Sequence, residues 1–109
     1  ASTNWPRIVG YYEALVRIDT GAAPRLSRAI ALAEAGEPAQ ARQMLQALLP
    51  SVPDALRAHA HAALSHAHAR LEEHHQSRTQ LDWAIRYARN DADRRLLERR
   101  RAEHFGTQG

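Results

Sequence analysis

The chain of 109 residues has no cysteine and no lysine, few aromatic residues and only short apolar runs. Without cysteine, neither a disulfide framework nor a thiolate metal site can form, and a reducing compartment suits the sequence. No apolar run reaches the ~20 residues that span a bilayer, and the first residues lack the charged and apolar regions of a signal peptide. We therefore expect a cytoplasmic protein without a membrane partner.

All fifteen basic residues are arginine, and twelve carboxylates are interspersed among them, which leaves a formal net charge of +3. The densest basic run comprises Arg94, Arg95, Arg99, Arg100 and Arg101. Glu98 and Glu103 lie within and beside this run at spacings that allow ion pairs along a helix. Because a nucleic-acid binder usually separates its basic residues from its acidic ones, we expect no direct contact with nucleic acid.

Helix-forming residues dominate, and proline and glycine fall between the periodic segments rather than inside them. This punctuation predicts an all-α fold of about six antiparallel helices in a single domain over residues 1–109. The predicted helices cover residues 4–19, 23–35, 38–49, 53–74, 77–89 and 91–105. Asn4 and Ser77 are the predicted caps of the first and fifth helices, and Gly36 is the residue that ends the second.

The predicted helices form three helix-turn-helix hairpins with a period of about 34 to 36 residues, which is typical of a tetratricopeptide-type repeat. In the middle hairpin the contact, turn and exit positions hold Leu32, Gly36, Ala41, Leu45, Leu48 and Pro53. The equivalent positions of the next hairpin hold Leu64, His68, Ser77, Leu81, Ala84 and Arg89, with Glu72 where a glycine is typical. We predict a tetratricopeptide-like right-handed solenoid, with a four-helix bundle as the alternative.

Two sets of residues, which together cover essentially the whole chain, resemble one known family. The first set comprises Thr3-Asn4-Trp5, Ile8, Tyr11, Leu26-Ser27-Arg28-Ala29-Ile30-Ala31 and Gly36. The second set comprises His61-Ala62-Ala63, Arg70-Leu71, Ala84-Ile85, Asn90, Asp93-Arg94, Leu97, Arg99 and Arg100. The pattern is similar to the C-terminal tetratricopeptide-like extension of extracytoplasmic-function RNA polymerase sigma factors. Two positions depart from it, because Ser27 stands in place of the usual asparagine and Glu72 in place of the usual glycine.

The resemblance implies a fragment of a longer bacterial chain that acts in transcription initiation. It also implies regulation through protein contacts, with RNA polymerase or the sigma regions of the same chain as the partner. The residues show only the extension, since no helix-turn-helix with a polymerase-binding helix before it is present. A free-standing tetratricopeptide-like adaptor that binds a peptide or helix of another protein is the alternative function.

The sequence carries no recognisable active-site motif. There is no cysteine nucleophile, no Gly-x-Ser-x-Gly elbow and no phosphate-binding glycine loop. His61, His68 and His75 recur at heptad spacing, but their span of about 21 Å along a helix is too long for one set of metal ligands. We predict no enzymatic activity, no metal and no cofactor, with a pH-responsive histidine surface as an alternative.

The first helix of each predicted hairpin would line a concave surface. The residues placed there are Leu26, Ile30, His59, His66, Arg70, Leu96 and Arg100. An apolar floor with basic rims fits an acidic, partly hydrophobic peptide. Trp83 and Tyr87 form a second apolar face on the fifth helix. Either the sixth helix covers these two rings through Leu96 or Leu97, or they form a docking patch for a partner.

Overall fold

The computed structural model describes residues 3–19 and 21–105, so the predicted domain bounds 1–109 extend beyond the described part. The helices are α1 (Trp5–Ile18), α2 (Ala22–Glu34), α3 (Pro38–Leu48), α4 (Asp54–Arg70), α5 (His74–Tyr87) and α6 (Asp91–Phe105), with a short 3₁₀ turn at Leu49–Ser51. The described residues contain no strand, which confirms the all-α prediction. Among them, no helix combines the length and the apolarity that crossing a membrane requires.

Polar caps and prolines define where several helices begin. The side chain of Asn4 accepts a hydrogen bond from the amide of Arg7 at 3.2 Å, which confirms Asn4 as the cap of α1. Asn90 caps α6 in the same way, since its side-chain oxygen accepts from the amide of Asp93 at 2.8 Å. Pro38 is the first residue of α3, a position where its missing amide proton costs no helix hydrogen bond.

Two tight turns join α2 to α3 and α4 to α5, and they have the same geometry. Gly36 and Glu72 have positive φ values of 94° and 60°, so each takes the left-handed conformation that ends a helix. The amides of Glu37 and Glu73 each donate to the carbonyl five residues earlier, at 2.9 Å in both turns. The second turn lies 36 positions after the first, so the same hairpin connection occurs twice in the chain.

The boundary between α4 and α5 differs from the prediction. The predicted helix over 53–74 ends at Arg70, and α5 begins at His74 rather than after a cap at Ser77. Glu72 is the physical reason, because its left-handed backbone terminates α4. Ser77 lies inside α5 and is buried, so its predicted role as a cap is wrong.

Serine and alanine side chains occupy the buried positions where paired helices meet. In the α4–α5 hairpin, the Ser65 hydroxyl donates to the Ser77 carbonyl at 2.7 Å, and the Ser77 hydroxyl donates to the Ser65 carbonyl at 2.8 Å. Ala29 of α2 and Ala41 of α3 stand 36 positions before these serines and are fully buried. Small side chains at these positions allow a close approach of the helix backbones.

The core consists of two clusters of buried side chains. The larger one extends from Val9 of α1 to Ala67 of α4 and includes Leu32, Leu45 and Leu64. The smaller one joins α5 to α6 through Leu81, Ala84, Ala88 and Leu97. Each helix packs against the next one in the chain, and α2 also packs against α4. As a result, one side of α2, one side of α4 and one side of α6 face a common open region between these three helices.

An ion-pair network ties α3 to the second hairpin turn. The Glu73 carboxylate accepts from the Arg42 guanidinium of α3 at 2.6 Å and lies 2.8 Å from Nδ1 of the buried His68. The hydrogen bond with His68, followed by the one with Arg42, holds the pKa of Glu73 below its ordinary value of 4.5. The network therefore stabilises the contact between the two hairpins when Glu73 is ionised.

Replacing the residue at each left-handed turn position should change stability in opposite directions. A residue with a side chain loses about 1 to 2 kcal/mol of folded-state stability in the left-handed conformation, and glycine does not. Glycine in turn loses about 0.5 to 1 kcal/mol more conformational entropy on folding, which offsets part of this advantage. We expect Glu72→Gly to raise the free energy of unfolding by about 0.5 to 1 kcal/mol and Gly36→Ala to lower it by a similar amount. Urea denaturation of both variants checks this, and a less stable Glu72→Gly variant would contradict it.

The Glu73 network predicts a pH-dependent stability difference. Because the folded state lowers the pKa of Glu73, the carboxylate stabilises the fold above pH 4.5 and loses this effect as the pH falls through the lowered pKa. We expect Glu73→Gln to be less stable than the parent at pH 7, with the difference shrinking below pH 4.5. The control is Glu37→Gln at the equivalent turn position. A constant difference between pH 7 and pH 3 in urea denaturation would count against the network.

Candidate functional site

A groove of about 760 Å³ lies between α2, α4 and α6 and is closed at one end by the start of α5. Its apolar lining comprises Ile30, Ala33, Ala62, Ala63, Ala69, Leu81 and Phe105. Its polar lining comprises Glu34, His59, Ser65, His66, His74, Ser77, Arg100, Glu103 and His104. The groove therefore has a floor of mostly small apolar side chains and a rim rich in histidine.

Helical periodicity explains how distant residues reach this groove. On α4, His59, Ala63 and His66 recur at spacings of three and four, so they share one face of the helix. Arg100 and His104 share a face of α6 for the same reason. Because Ala62 and Ala63 are the apolar residues that line the groove between the two α4 histidines, the space above them is open to a ligand.

The charges on the rim nearly cancel. Arg100 contributes one positive charge, whereas Glu34 and Glu103 contribute two negative ones, and the four histidines add charge only when protonated. The Glu34 carboxylate lies 2.6 Å from Nε2 of His66 and 4.0 Å from the Arg70 guanidinium, so it contacts two side chains of α4. The predicted basic rim is therefore wrong as stated, since it took no account of the two glutamates.

Four of the seven residues predicted for the concave surface line the groove. These are Ile30, His59, His66 and Arg100. Arg70 lies beside the groove through its ion pair with Glu34, and Leu96 is 41% exposed but does not line the groove.

Leu26 is buried in the larger core cluster, and its predicted place on the open surface is wrong. It stands one helical turn before Ile30, and sequence spacing alone put both residues on the same stripe of α2. α1 packs against α2 and contributes Val9 to the same cluster. Only Ile30 of this pair is therefore available to a ligand.

Sequence reasoning missed the groove residues contributed by the last turn of α6 and the first turn of α5. His104 and Phe105 come from α6, whereas His74 is the first residue of α5. The spacing of Arg100 and His104 could have placed His104 on the predicted surface. His74 could not be placed, because the predicted start of the fifth helix was three residues too late.

The sixth helix does not cover Trp83 and Tyr87. α6 buries Leu97 in the cluster that contains Leu81, whereas Leu96 stays exposed. Trp83 and Tyr87 are each 40% exposed, so the prediction that Leu96 or Leu97 covers them is wrong. The alternative, a docking patch for a partner, stays a prediction.

Trp83 and Tyr87 stack on each other and on His61 of α4. The ring centres of Trp83 and Tyr87 are 5.9 Å apart, and those of His61 and Tyr87 are 5.5 Å apart with their planes within 4° of parallel. The guanidinium of Arg57 lies 5.4 Å from the centre of the Tyr87 ring, and that of Arg86 lies 5.5 Å from the Trp83 ring. We call these five residues the aromatic patch.

The groove and the aromatic patch lie on different sides of the α4–α5 hairpin. Arg57 and His61 are one turn apart and share a face of α4, whereas His59 and His66 occupy the face that lines the groove. Two residues on an α-helix are about 200° apart when one residue separates them, which places His59 and His61 on nearly opposite sides. The two surfaces share no residue.

The histidine-rich segment is divided between these environments. His61 and His68 are buried and hydrogen-bonded to Gln80 and Glu73, whereas His59 and His66 line the groove. Across the part of the chain that the structure describes, no group of three histidine or acidic side chains is arranged to hold a metal ion. The sequence cluster is therefore not a cluster in space.

No protein-family model, curated protein sequence or solved structure matches the chain.

Proposed function

We propose that this chain is a non-catalytic protein-interaction domain whose groove binds a segment of a partner protein. The observation that carries the proposal is the groove itself, with an apolar floor of mostly small side chains and a polar rim supplied by four helices, α2, α4, α5 and α6. Such a surface suits the apolar face of a helix or an extended peptide, while the rim orients its polar side chains. Ile30, 39% exposed at the edge of the floor, is the apolar contact most open to a partner.

We further propose that the helices follow a tetratricopeptide-like right-handed solenoid. The two equivalent turns at Gly36 and Glu72 support this, because a repeat architecture reuses one connection at a fixed period. The alanine pair of the first hairpin and the serine pair of the second are offset by the same 36 positions, which supports it as well. In such a solenoid alternate helices line the concave side, and α2, α4 and α6 are the alternate helices that line the groove.

The cellular role that we propose is regulation of transcription initiation as the C-terminal extension of a bacterial sigma factor in the cytoplasm. The partner is then RNA polymerase or the sigma regions of the same polypeptide. The resemblance of the two sets of residues between Thr3 and Arg100 to that family supports this role. Several of the residues that carry it are structural here, since Asn90 caps α6 and Leu97 is buried. The residues that the chain shares with that family therefore support a similar helix arrangement more than a similar binding surface.

A free-standing adaptor that binds a peptide or helix of another protein is the second candidate. The groove supports this function equally well, because its chemistry does not depend on which polypeptide contains the domain. The near balance of charge on the rim favours a partner segment with an apolar face over one recognised by charge alone.

The mass of the endogenous polypeptide and the proteins that co-purify with it distinguish the two roles. An antibody raised to this domain should detect in the source cells a product much larger than 12.2 kDa that co-purifies with RNA polymerase. A free product of 12.2 kDa without polymerase would contradict the sigma-factor role and leave the adaptor.

A matched pair of surface variants tests the groove. Ile30 and Leu96 are 39% and 41% exposed, but only Ile30 lines the groove. We expect Ile30→Asp to reduce the amount of co-purified polymerase about tenfold or more, because a charge on the apolar floor costs at least about 1.4 kcal/mol of binding. Leu96→Asp should retain the partner, and circular dichroism should show both variants fully helical. Equal behaviour of the two variants would rule out the groove as the binding surface.

A further inference from the structure

We propose that the aromatic patch is a second docking surface and that it binds an acidic protein segment with apolar side chains. Trp83 and Tyr87 are each 40% exposed although they lie on a helix whose other sides are packed against α4 and α6. Tryptophan, tyrosine and arginine are the residues that most often carry the binding energy of protein interfaces. The patch contains all three types, and it is separate from the groove.

The charge around the patch selects an acidic partner. Arg86 lies over the Trp83 ring, and in the described part of the chain no carboxylate is within ion-pair distance of its guanidinium. Arg57 has one carboxylate nearby, that of Asp54 at 3.8 Å, and the Asp54 side chain is 96% exposed. Asp82, the acidic neighbour of Trp83, is already bound to Arg101 of α6. The described residues therefore leave the charge of Arg86 without an ion-pair partner, whereas the Arg57 guanidinium also donates to the carbonyl of Val52 at 3.1 Å.

A buried polar atom at the patch also lacks a partner within the domain. His61 is 6% exposed, and its Nδ1 lies 2.7 Å from Oε1 of Gln80. Its Nε2 is buried without a hydrogen-bond partner in the described residues. When Nδ1 donates its proton to the Gln80 oxygen, Nε2 of the neutral imidazole is a hydrogen-bond acceptor, so a hydroxyl or N–H donor is the kind of group that satisfies it. This unpartnered nitrogen belongs to the ring that stacks with Tyr87.

Two other occupants fit the patch less well. A second copy of the chain, bound about a twofold axis, would bring the same arginines towards each other and so oppose like charges. A single-stranded nucleic acid needs free ring faces on which its bases can stack. Here the ring faces are already used, because His61, Tyr87 and Trp83 stack together and the guanidiniums of Arg57 and Arg86 lie over them. The partly exposed rings and the positive charge of Arg86 favour an acidic peptide with apolar side chains.

The test uses fluorescence anisotropy of labelled probes with the whole 109-residue chain. One probe is a short peptide in which phenylalanine and leucine alternate with glutamate. The second is the same peptide with lysine in place of glutamate, and the third is an oligothymidine strand. We expect the glutamate peptide to bind at least about tenfold more tightly than the other two, and its affinity to fall as salt is added. Preferential binding of the lysine peptide or of the oligonucleotide would overturn the proposal.

Variants locate the peptide on the domain. Arg86→Glu reverses an exposed charge and should weaken binding of the glutamate peptide about tenfold or more, and Trp83→Ala should weaken it similarly. Tyr11→Ala, which removes a 64% exposed aromatic ring on α1, is the matched control and should bind as the parent does. Unchanged binding by Arg86→Glu would overturn the proposal. Loss of binding in Ile30→Asp would place the peptide in the groove, which would also overturn the patch while leaving the groove proposal intact.

Discussion

The close approach of paired helices is the constraint on which the remaining structure depends. A three-residue turn with one left-handed position, Gly36 or Glu72, folds α3 back onto α2 and α5 back onto α4. The helices can meet at that distance only because the side chains between them are small, as Ser65 and Ser77 are. In the second hairpin each serine hydroxyl donates to the carbonyl of the other serine, so the buried polar groups are satisfied rather than exposed to an apolar core.

The same use of small side chains creates the groove. Alanines at positions 62, 63 and 69 of α4 leave space that larger side chains would fill, and α2 and α6 form the walls. The positions of the helix backbones therefore determine the shape of this groove more than any one side chain does. Its shape therefore depends on the hairpin contacts, including the Arg42–Glu73 ion pair that connects α3 to the second turn.

Much of the helix order could be predicted from the sequence, because Asn4, Gly36 and Pro38 interrupt periodic segments at helix ends. The end of α4 could not be placed correctly, since Glu72 is a residue that normally favours helix and nothing local indicates its left-handed backbone. The candidate groove was predicted in part: the 3.6-residue period found Ile30 and Arg100, but it could not show that the packing of α1 buries Leu26. Tertiary contacts, which no single helix encodes, decided those positions.

The α4–α5 hairpin presents two chemically different surfaces on opposite sides. One is an apolar groove with histidines and nearly balanced charge, and the other is a set of stacked aromatic rings with the guanidiniums of Arg57 and Arg86 over them. The two surfaces share no residue, so a substitution in one leaves the side chains of the other unchanged.

A photo-crosslinking amino acid placed at position 30 in the protein expressed in its source cells tests the central claim most directly. If the groove is the partner-binding surface, illumination should join the domain to one specific protein segment, which mass spectrometry identifies. The same probe at position 96, which is equally exposed but outside the groove, should give no such product. No specific product at position 30, or the same product from both positions, would contradict the assignment of the groove.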